Sequence, residues 1–424
     1  MLTAGDEIEL TIEKPAAGGR MLARHDGQVV FIHGAIPGER VRARVERVER
    51  QLAFASASEI IEPSLDRRAP TADISCGGCL YAHVVYARQL ALKSEVIQDA
   101  FARLGRVSLD EPVPVEPSPE RGYRMRARFH VRSGRVGFYR EGTHELCDAA
   151  ATGQLLDQSV SAATAAVAAA LTVAPIASAE LSENIAADER VVHLEGAAGA
   201  TFSPGVLEAA MRAGSLSGCS AAFSGQVSVA GIPVVSDPLP TLTGGRAGSG
   251  VLQRHAESFF QANRYLLPPL VASVLDAVLP DGDVIDLYAG VGLFSVSLAQ
   301  SGRERITAVE GDRTSARDLM ANASACGASL RVVIDSVERF LSANRRPAET
   351  VIVDPPRSGI SRAAMEAVVR SRPRRVVYVS CDPPTMARDA RRLLNGGYGL
   401  ASLRAFDLFP NTPHVESIGV FDRG

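Results

Sequence analysis

The chain has 424 residues, of which 46% are hydrophobic, and its formal charge is −3 at pH 7. This content suffices for two or three packed domains, and the small net charge excludes a globally basic surface, so any nucleic-acid contact must come from local patches. Six scattered cysteines argue against a secreted disulfide scaffold and favour a cytoplasmic protein.

Residues 1–60 show short strands separated by turn signals, a pattern that predicts a small OB-type β-barrel. The run Arg40–Glu49 alternates so that Arg40, Arg42 and Arg44 share one strand face. That face is either a contact for single-stranded nucleic acid or simply solvent-exposed. The motifs GDEI, GGR and PGERV resemble the TRAM domain, a small barrel attached to RNA-modifying enzymes, and this resemblance implies RNA binding.

Residues 61–245 are expected to form a mixed α+β middle domain. The helical run Val84–Leu104 precedes the stretch Pro112–Pro119, which predicts an extended linker. The segment Arg121–Arg140 holds seven arginines, four aromatic residues and no acid, with a hairpin turn at Ser133–Gly134. Because arginine and aromatic side chains together hold single-stranded RNA, the segment is a candidate RNA contact, the alternative being a solvated hairpin face.

The longest stretch of small, weakly apolar residues is an Ala-rich run at residues 161–177. Its apolar character is too weak for a membrane span, and it predicts a packed helix. The N-terminus has no apolar core of the signal-peptide type. We therefore expect no membrane association.

Residues 246–424 alternate buried strands with helical stretches, in the segments VIDLYAG, RITAVEG, LRVVID, TVIVDPPR and RRVVYVSCDPP. This is the βαβ signature of a doubly wound, Rossmann-like parallel sheet, which binds ligands at the carboxyl ends of its strands. The sequence thus predicts an α/β protein with domains at 1–60, 61–245 and 246–424.

The first strand of this sheet leads into a glycine loop containing Gly290 and Gly292, where backbone can approach a ligand closely. Glu310 follows the second strand, where an acid can bind two ribose hydroxyls. A dinucleotide site would favour glycine at Ser295, and a pyrophosphate would be repelled by Asp286. S-adenosyl-L-methionine, which carries a sulfonium, an ammonium and a ribose, fits the loop and its acids better than a nicotinamide cofactor does.

Several further motifs follow one another in a fixed order, namely SFFQAN at 258–263, DLYAGVG, Glu310, DPPR at 354–357, SCDPPT and His414-Val-Glu416. Enzymes that methylate base amines usually place an aromatic ring after the two prolines, where this chain has Arg357. The whole series resembles the RNA uracil-5-methyltransferase family, which methylates uridine in tRNA or ribosomal RNA.

The resemblance implies cofactor contacts from four residues, Gln261, Tyr288, Glu310 and Asp354. Asp335 is a further candidate, for the adenine amine, with a helix N-cap as its alternative role. Leu293 departs from the family, whose members often carry asparagine at this position.

Methylation of uracil C5 requires activation, because C5 is a poor nucleophile until a thiolate adds to C6. Cys381 follows the strand Arg375–Ser380 and precedes a helix predicted to begin near Pro384, whose N-terminus favours a thiolate. The resemblance implies that Cys381 is this nucleophile and that Glu416 removes the C5 proton. A lone cysteine after a buried strand could instead serve only in packing.

Cys76-Gly-Gly-Cys79 and the distant Cys147 resemble the [4Fe–4S] site of part of this family, but Ala69 stands where the first ligand should be. Four thiolates are the rule for such clusters. Three possibilities stay open: a cluster with a non-cysteine ligand such as Asp73, a labile three-cysteine cluster, or a lost site whose cysteines only pack.

The sequence therefore predicts a monomeric, S-adenosylmethionine-dependent enzyme that makes 5-methyluridine in structured tRNA or rRNA. A catalytically inactive RNA-binding protein on the same scaffold is the alternative hypothesis.

Overall fold

The computed structural model describes residues 2–197, 204–223, 226–344 and 348–424. Within these ranges the named strands form sheets of six, seven, two and eight strands. None of the helices found there combines the length and apolar character needed to cross a membrane.

The N-terminal sheet follows the predicted alternation, since residues 7–11 alternate between exposed and buried. Its strand order is β1-β5-β6-β4-β3-β2. The strands are β1 (Glu7–Thr11), β2 (Lys14–Pro15), β3 (Met21–His25), β4 (Gln28–His33), β5 (Arg40–Glu49) and β6 (Leu52–Glu62).

The arginine face of β5 is neutralised by acids on neighbouring strands. Arg40 and Arg42 lie 3.3 and 3.0 Å from the carboxylate of Glu9, and they also pair with Glu62 and Glu59. This face therefore carries mixed charge rather than a basic stripe.

The middle of the chain forms a seven-stranded sheet of order β10-β9-β8-β11-β12-β13-β14, with α2 and α3 packed on it through small apolar side chains. Its elements, with those that flank it, are α1 (Tyr86–Ala100), a π-helix (Phe101–Gly105), β7 (Val115–Glu116), β8 (Arg126–Arg132), β9 (Arg135–Tyr139), β10 (Leu146–Asp148), a 3-10 turn (Ala150–Thr152), α2 (Asp157–Leu171), β11 (Ile176–Glu183), β12 (Arg190–Gly196), α3 (Pro204–Ala213), β13 (Gly218–Phe223), β14 (Gln226–Gly231), β15 (Val234–Pro238), α4 (Leu239–Leu242) and β16 (Val251–His255).

The predicted arginine-rich hairpin is present as β8 and β9. Ser133 and Gly134 both have positive φ, 49° and 74°, as a tight two-residue hairpin turn requires. The predicted Ala-rich helix is α2. The segment Pro112–Pro119 is extended as expected, but it is more than a linker because β7 within it pairs with a strand of the C-terminal sheet.

The C-terminal sheet has the order β19-β18-β17-β20-β21-β23-β22-β7 and is parallel from β19 to β21, while β23 runs antiparallel to both of its neighbours. Its elements are α5 (Leu267–Ala277), β17 (Val284–Leu287), α6 (Ser295–Gln300), β18 (Ile306–Glu310), α7 (Arg313–Ala325), β19 (Leu330–Ile334), α8 (Val337–Ala343), β20 (Thr350–Val353), α9 (Arg362–Ser371), β21 (Arg375–Ser380), α10 (Pro383–Asn395), β22 (Tyr398–Phe406) and β23 (Glu416–Arg423).

This sheet confirms the predicted doubly wound α/β class. β17 and β20 are buried along their whole length, because helices cover both faces. Four carboxyl ends lie at one edge of the sheet because the strands concerned, β17, β18, β20 and β21, are parallel. A ligand site is expected at that edge.

The division into three domains at 1–60, 61–245 and 246–424 remains a proposal. Two features bear on its boundaries: β7 belongs to the C-terminal sheet, and the ribbon of β15 and β16 spans the boundary at 245.

Candidate active site

A cavity of about 980 Å³ opens at the carboxyl ends of the parallel strands, between the C-terminal sheet and the hairpin of β8 and β9. Six of the predicted site residues line it, namely Gln261, Tyr288, Glu310, Asp354, Cys381 and Glu416. Side chains from several distant parts of the sequence thus face one space.

Cys381 and Glu416 are brought together by the register of two antiparallel strands. Ser380 at the end of β21 pairs with Ser417 near the start of β23. Cys381 lies just beyond the end of β21 and Glu416 is the first residue of β23, so the same register brings them opposite each other, and the Glu416 charge acts on the Cys381 thiol. The predicted nucleophile and the predicted base are therefore neighbours.

Neither group is ionised easily in the free protein. Burial and, to a smaller extent, the Glu416 charge raise the pKa of the Cys381 thiol to about 12, with Arg357 opposing both. Burial also raises the pKa of Glu416 well above its usual value, as does the Asp354 charge, while Arg357 lowers it. The helix start after Cys381 thus does not by itself produce the thiolate predicted from the sequence, and Arg357 is the cation that favours the charged form of both groups.

Arg357 is the functional residue whose role the sequence interpretation missed. It lines the cavity with Cys381, its guanidinium is close enough to lower the pKa of the Cys381 thiol, and its carbonyl accepts a bond from Thr385 Oγ1 at 3.3 Å. Its position immediately after the DPP motif was the available signal, since that motif ends a strand of the ligand-binding edge.

The segment that leads to Glu416 is anchored by α1. Gln89 Nε2 donates to Asn411 Oδ1 at 3.0 Å, and the Asn411 N–H donates back to Gln89 Oε1 at 2.9 Å. Lys93 Nζ contacts Asp407, and both side chains are fully buried. A buried pair of this kind is costly to break, so α1 fixes the backbone that presents Glu416.

The glycine loop after β17 has the backbone that its sequence requires. Gly292 has a φ of 93°, and a Cβ there would lie 2.7 Å from side-chain atoms of Leu319 and Val296. Tyr288 also has a positive φ, 64°, which is unusual for a bulky residue and occurs at functional sites. The Gly290 N–H donates to Glu310 Oε2 at 2.7 Å, so Glu310 holds this loop.

Acidic side chains dominate the sheet side of the site. Burial raises the pKa of Asp354 to about 7, although its bond with Gln261 opposes the shift. Burial likewise raises the pKa of Asp286 to about 7, opposed by the bond that the Ser295 N–H donates to Asp286 Oδ2 at 3.1 Å. Asp286 Oδ1 has no hydrogen-bond partner among the described residues. An unpaired buried carboxyl oxygen is costly, and a cationic ligand would relieve that cost.

Asp335 does not line the cavity, although it is close to it. Its N–H donates to the Glu310 carbonyl at 3.1 Å, and its own Oδ1 accepts from the Ser336 N–H at 2.8 Å. The alternative role as a helix N-cap is wrong, because Ser336 caps α8. Leu293 is buried in the hydrophobic core and does not line the cavity.

The opposite wall of the cavity is basic and aromatic. Arg124 lies 5.2 Å above the ring of Phe138 and 5.7 Å from that of Phe409, and Arg126 lies 5.7 Å from the ring of Phe259. Phe259 is 61% exposed. The cavity therefore has an acidic half suited to a cation and an arginine–aromatic half suited to a nucleic-acid base.

The predicted iron–sulfur ligands Cys76, Cys79 and Cys147 form one small buried cluster. Cys76 and Cys147 are joined as a disulfide and Cys79 is a free thiol. Asp73, the candidate fourth ligand, accepts bonds from Ser75 instead, and no group of three or more metal-binding side chains with suitable geometry occurs in the described residues. The arrangement does not fit a four-thiolate cluster.

Protein purified in air is consequently expected to show four titratable thiols after unfolding and six after reduction, because the free cysteines are Cys79, Cys219, Cys326 and Cys381. Anaerobically purified protein is expected to hold much less iron than a [4Fe–4S] cluster requires. Thiol titration together with iron and acid-labile sulfide analysis measures both quantities. Stoichiometric iron and sulfide would contradict this interpretation.

Two family matches cover separate parts of the chain. Residues 248–423 match the family described as tRNA (Uracil-5-)-methyltransferase, and residues 2–57 match the TRAM domain.

Relatives match almost the full length. An uncharacterized RNA methyltransferase of Thermosynechococcus vestitus is 31% identical, with 98% of both chains covered. The 23S rRNA (uracil(1939)-C(5))-methyltransferase of Alkalilimnicola ehrlichii is also 31% identical, over 99% of this chain and 97% of the relative. Among solved structures, the Pyrococcus abyssi tRNA (uracil-54, C5)-methyltransferase in complex with S-adenosyl-L-homocysteine has a TM-score of 0.75 at 22% identity, covering 98% of this chain and 100% of the other.

Proposed function

The chain belongs to the S-adenosylmethionine-dependent RNA uracil-5-methyltransferase family, and we propose that it makes 5-methyluridine with Cys381 as nucleophile and Glu416 as base. The observation that carries this proposal is the placement of Cys381, Glu416, Arg357 and Asp354 on one cavity. The arrangement combines a thiol, a proton acceptor and a cation, which are the groups that C5 methylation demands.

In the proposed reaction the Cys381 thiolate forms a bond to uracil C6, and the electron pair of the C5–C6 double bond moves into the C4 carbonyl as an enolate. When bound, S-adenosylmethionine would supply the methyl group that C5 takes up, with the bond from that methyl to the sulfonium sulfur breaking and the neutral thioether leaving. Glu416, as the carboxylate, removes the C5 proton, the C5–C6 double bond re-forms, and Cys381 leaves as the thiolate. The proton ends on Glu416, and the thiolate is regenerated.

The positive charge of Arg357 supports these reaction steps. Both the thiolate and the carboxylate are disfavoured by burial, and Arg357 lowers the pKa of Cys381 and of Glu416. Closure of the site by substrate would remove water and strengthen these interactions.

The cofactor would occupy the acidic half of the cavity. Glu310 would bind the ribose hydroxyls, Gln261, Asp354 and the Tyr288 loop would line the remainder, and Asp335 would lie at the adenine end. Asp286 is fully buried behind the cavity and does not line it. One of its oxygens has no hydrogen-bond partner in the described part of the chain, and a cation bound in the acidic half would stabilise its carboxylate, because a positive charge stabilises a buried carboxylate.

Binding of S-adenosylmethionine is expected to weaken as the pH falls below about 7. Asp354 and Asp286 have pKa values raised to about 7 in the free protein, and the cofactor's positive charge favours their ionised forms. Below pH 7, binding must therefore release a proton from each protonated carboxyl, which weakens the affinity by up to about tenfold per pH unit for each carboxyl. Above pH 7 the affinity should not depend on pH.

Isothermal titration in two buffers of different ionisation enthalpy measures the affinity and the protons released. An affinity that stays constant between pH 5.5 and 8, with no proton release, would contradict the proposed role of these acids. The control variant is Asp276→Asn, which removes an exposed carboxyl outside the cavity. Its affinity for S-adenosylmethionine should depend on pH as that of the unaltered protein does.

For the substrate we propose a structured RNA. The full-length relative named for 23S rRNA, at 31% identity, makes rRNA the first candidate, and tRNA is the second. The test is transfer of a labelled methyl group from S-adenosylmethionine to rRNA and to tRNA, each lacking 5-methyluridine, followed by nucleoside analysis. We expect 5-methyluridine in one of them; label in neither RNA, or in a different nucleoside, would overturn the proposal.

A further inference from the structure

A second basic hollow lies outside the active-site cavity, between the π-helix and α10. We call it the arginine groove and define it by Arg103, Arg106, Arg388, Arg391 and Arg392, which line it together with Leu104 and Asn395. Its volume is about 410 Å³. None of these residues was singled out by the motifs of the sequence.

The groove carries uncompensated positive charge. Arg103 pairs with Asp99 at 3.1 Å, and Asp389 pairs with Arg388 and Arg392. Arg106 and Arg391 form no ion pair with any acid in the described residues. Five arginines thus share two carboxylates, in a chain whose net charge is −3, and such a local excess attracts anions.

Two of these arginines are held in place from beneath by Asp389, which is completely buried. Its carboxylate accepts a bond from Tyr378 at 2.8 Å, from Arg388 at 3.0 Å and from Arg392 at 2.9 Å. Arg388 also donates to the Ser358 carbonyl at 3.1 Å. A guanidinium has five N–H donors, so both arginines retain donors for a further anion. Fixed guanidinium groups suit phosphate because little ordering entropy remains to be lost.

The arginine groove is connected to the active site. Arg388 and Arg392 also line a shallow pocket with Tyr288 and Pro356, and these two residues in turn line the active-site cavity. The helix α10 begins two residues after Cys381 and rises 1.5 Å per residue, so Arg391 lies about 12 Å from its start. A chain that leaves the cavity past Pro356 can thus follow one continuous surface to the groove.

We propose that the arginine groove binds the phosphate backbone of the RNA substrate, beyond the nucleotides held in the active site. This inference rests on the proposed function in taking RNA as the substrate. The groove contributes affinity for extended RNA and takes no part in the chemistry at uracil.

The test compares Arg106→Asn/Arg391→Gln with a matched control, Arg370→Gln/Arg374→Gln. Asparagine is chosen at position 106 because it tolerates the left-handed conformation found there, with φ at 55°. Arg370 and Arg374 are 69% and 72% exposed and lie at the opposite edge of the sheet from Cys381, beside the start of β21. Both double variants remove the same charge.

Each variant is assayed for binding and for single-turnover methylation with two RNAs: a minimal stem-loop that contains the target uridine, and an rRNA or tRNA fragment extended on both sides. The groove variant is expected to bind the extended RNA about tenfold more weakly at 0.1 M salt. The slope of log K against log salt should decrease by about 1.4, since each lost phosphate contact contributes about 0.7. Binding and single turnover of the stem-loop, and every value of the control variant, should change less than twofold.

Unchanged affinity and salt slope on the extended RNA would overturn the inference and leave an acidic protein as the remaining occupant. Equal weakening on both RNAs would also overturn it, because the groove would then act through the active site. Binding is read separately from methylation, so an enzyme that binds RNA in a groove-dependent way but makes no 5-methyluridine would refute the proposed function alone.

Discussion

Cys381→Ala is expected to lose methyl transfer by at least about four orders of magnitude, because Cys381 is the only cysteine among the described residues that lines the cavity and can form the bond to C6 that activates C5. The affinity for S-adenosylmethionine should change little, since Cys381 acts on the uracil ring. Single-turnover transfer of labelled methyl to RNA measures the first quantity and titration calorimetry the second.

The matched control for this variant is Cys326→Ala, which removes a free thiol that does not line the cavity. It should retain the full rate. A Cys381→Ala enzyme that keeps more than about one hundredth of the rate would contradict the assignment of the nucleophile, provided that both variants unfold at similar temperatures.

Glu416→Gln is expected to slow turnover by about 10² to 10⁴ and to trap the reaction as a covalent complex. The amide keeps the shape of the side chain but cannot accept the C5 proton. The C5-methylated ring therefore stays bonded to Cys381. A denaturing gel with labelled RNA detects this complex, and labelled methyl shows that transfer precedes the block.

The double variant Cys381→Ala/Glu416→Gln should give no complex, and Glu366→Gln, at an exposed acid on α9, should turn over normally. Normal release of product by Glu416→Gln would show that another group takes the proton. Loss of turnover without any complex would place Glu416 earlier in the reaction than proposed.

The sheet and the cofactor loop were predictable because their signals are local. Buried strands alternate with helical stretches in residues 246–424, and the glycines at 290 and 292 mark a tight loop. The same holds for the hairpin turn at Ser133–Gly134, where two residues decide the conformation.

The pairing of Cys381 with Glu416 could not be worked out from local pattern, because it depends on the register of β21 against β23. The raised pKa of the Cys381 thiol was equally inaccessible, since it arises from burial by the folded chain. The arginine groove has the same origin: Arg103 and Arg391 are almost 300 positions apart, and only the packing of the π-helix on α10 joins them.

The most direct test of the central claim is to locate the covalent bond between the enzyme and RNA that contains 5-fluorouridine, whose C5 has no proton to remove. After digestion with trypsin and nuclease, mass spectrometry should find the modified nucleotide on the peptide Val376–Arg388, at Cys381, carrying a methyl group. An adduct on any other peptide, or the absence of an adduct from an enzyme that methylates ordinary RNA, would contradict the account.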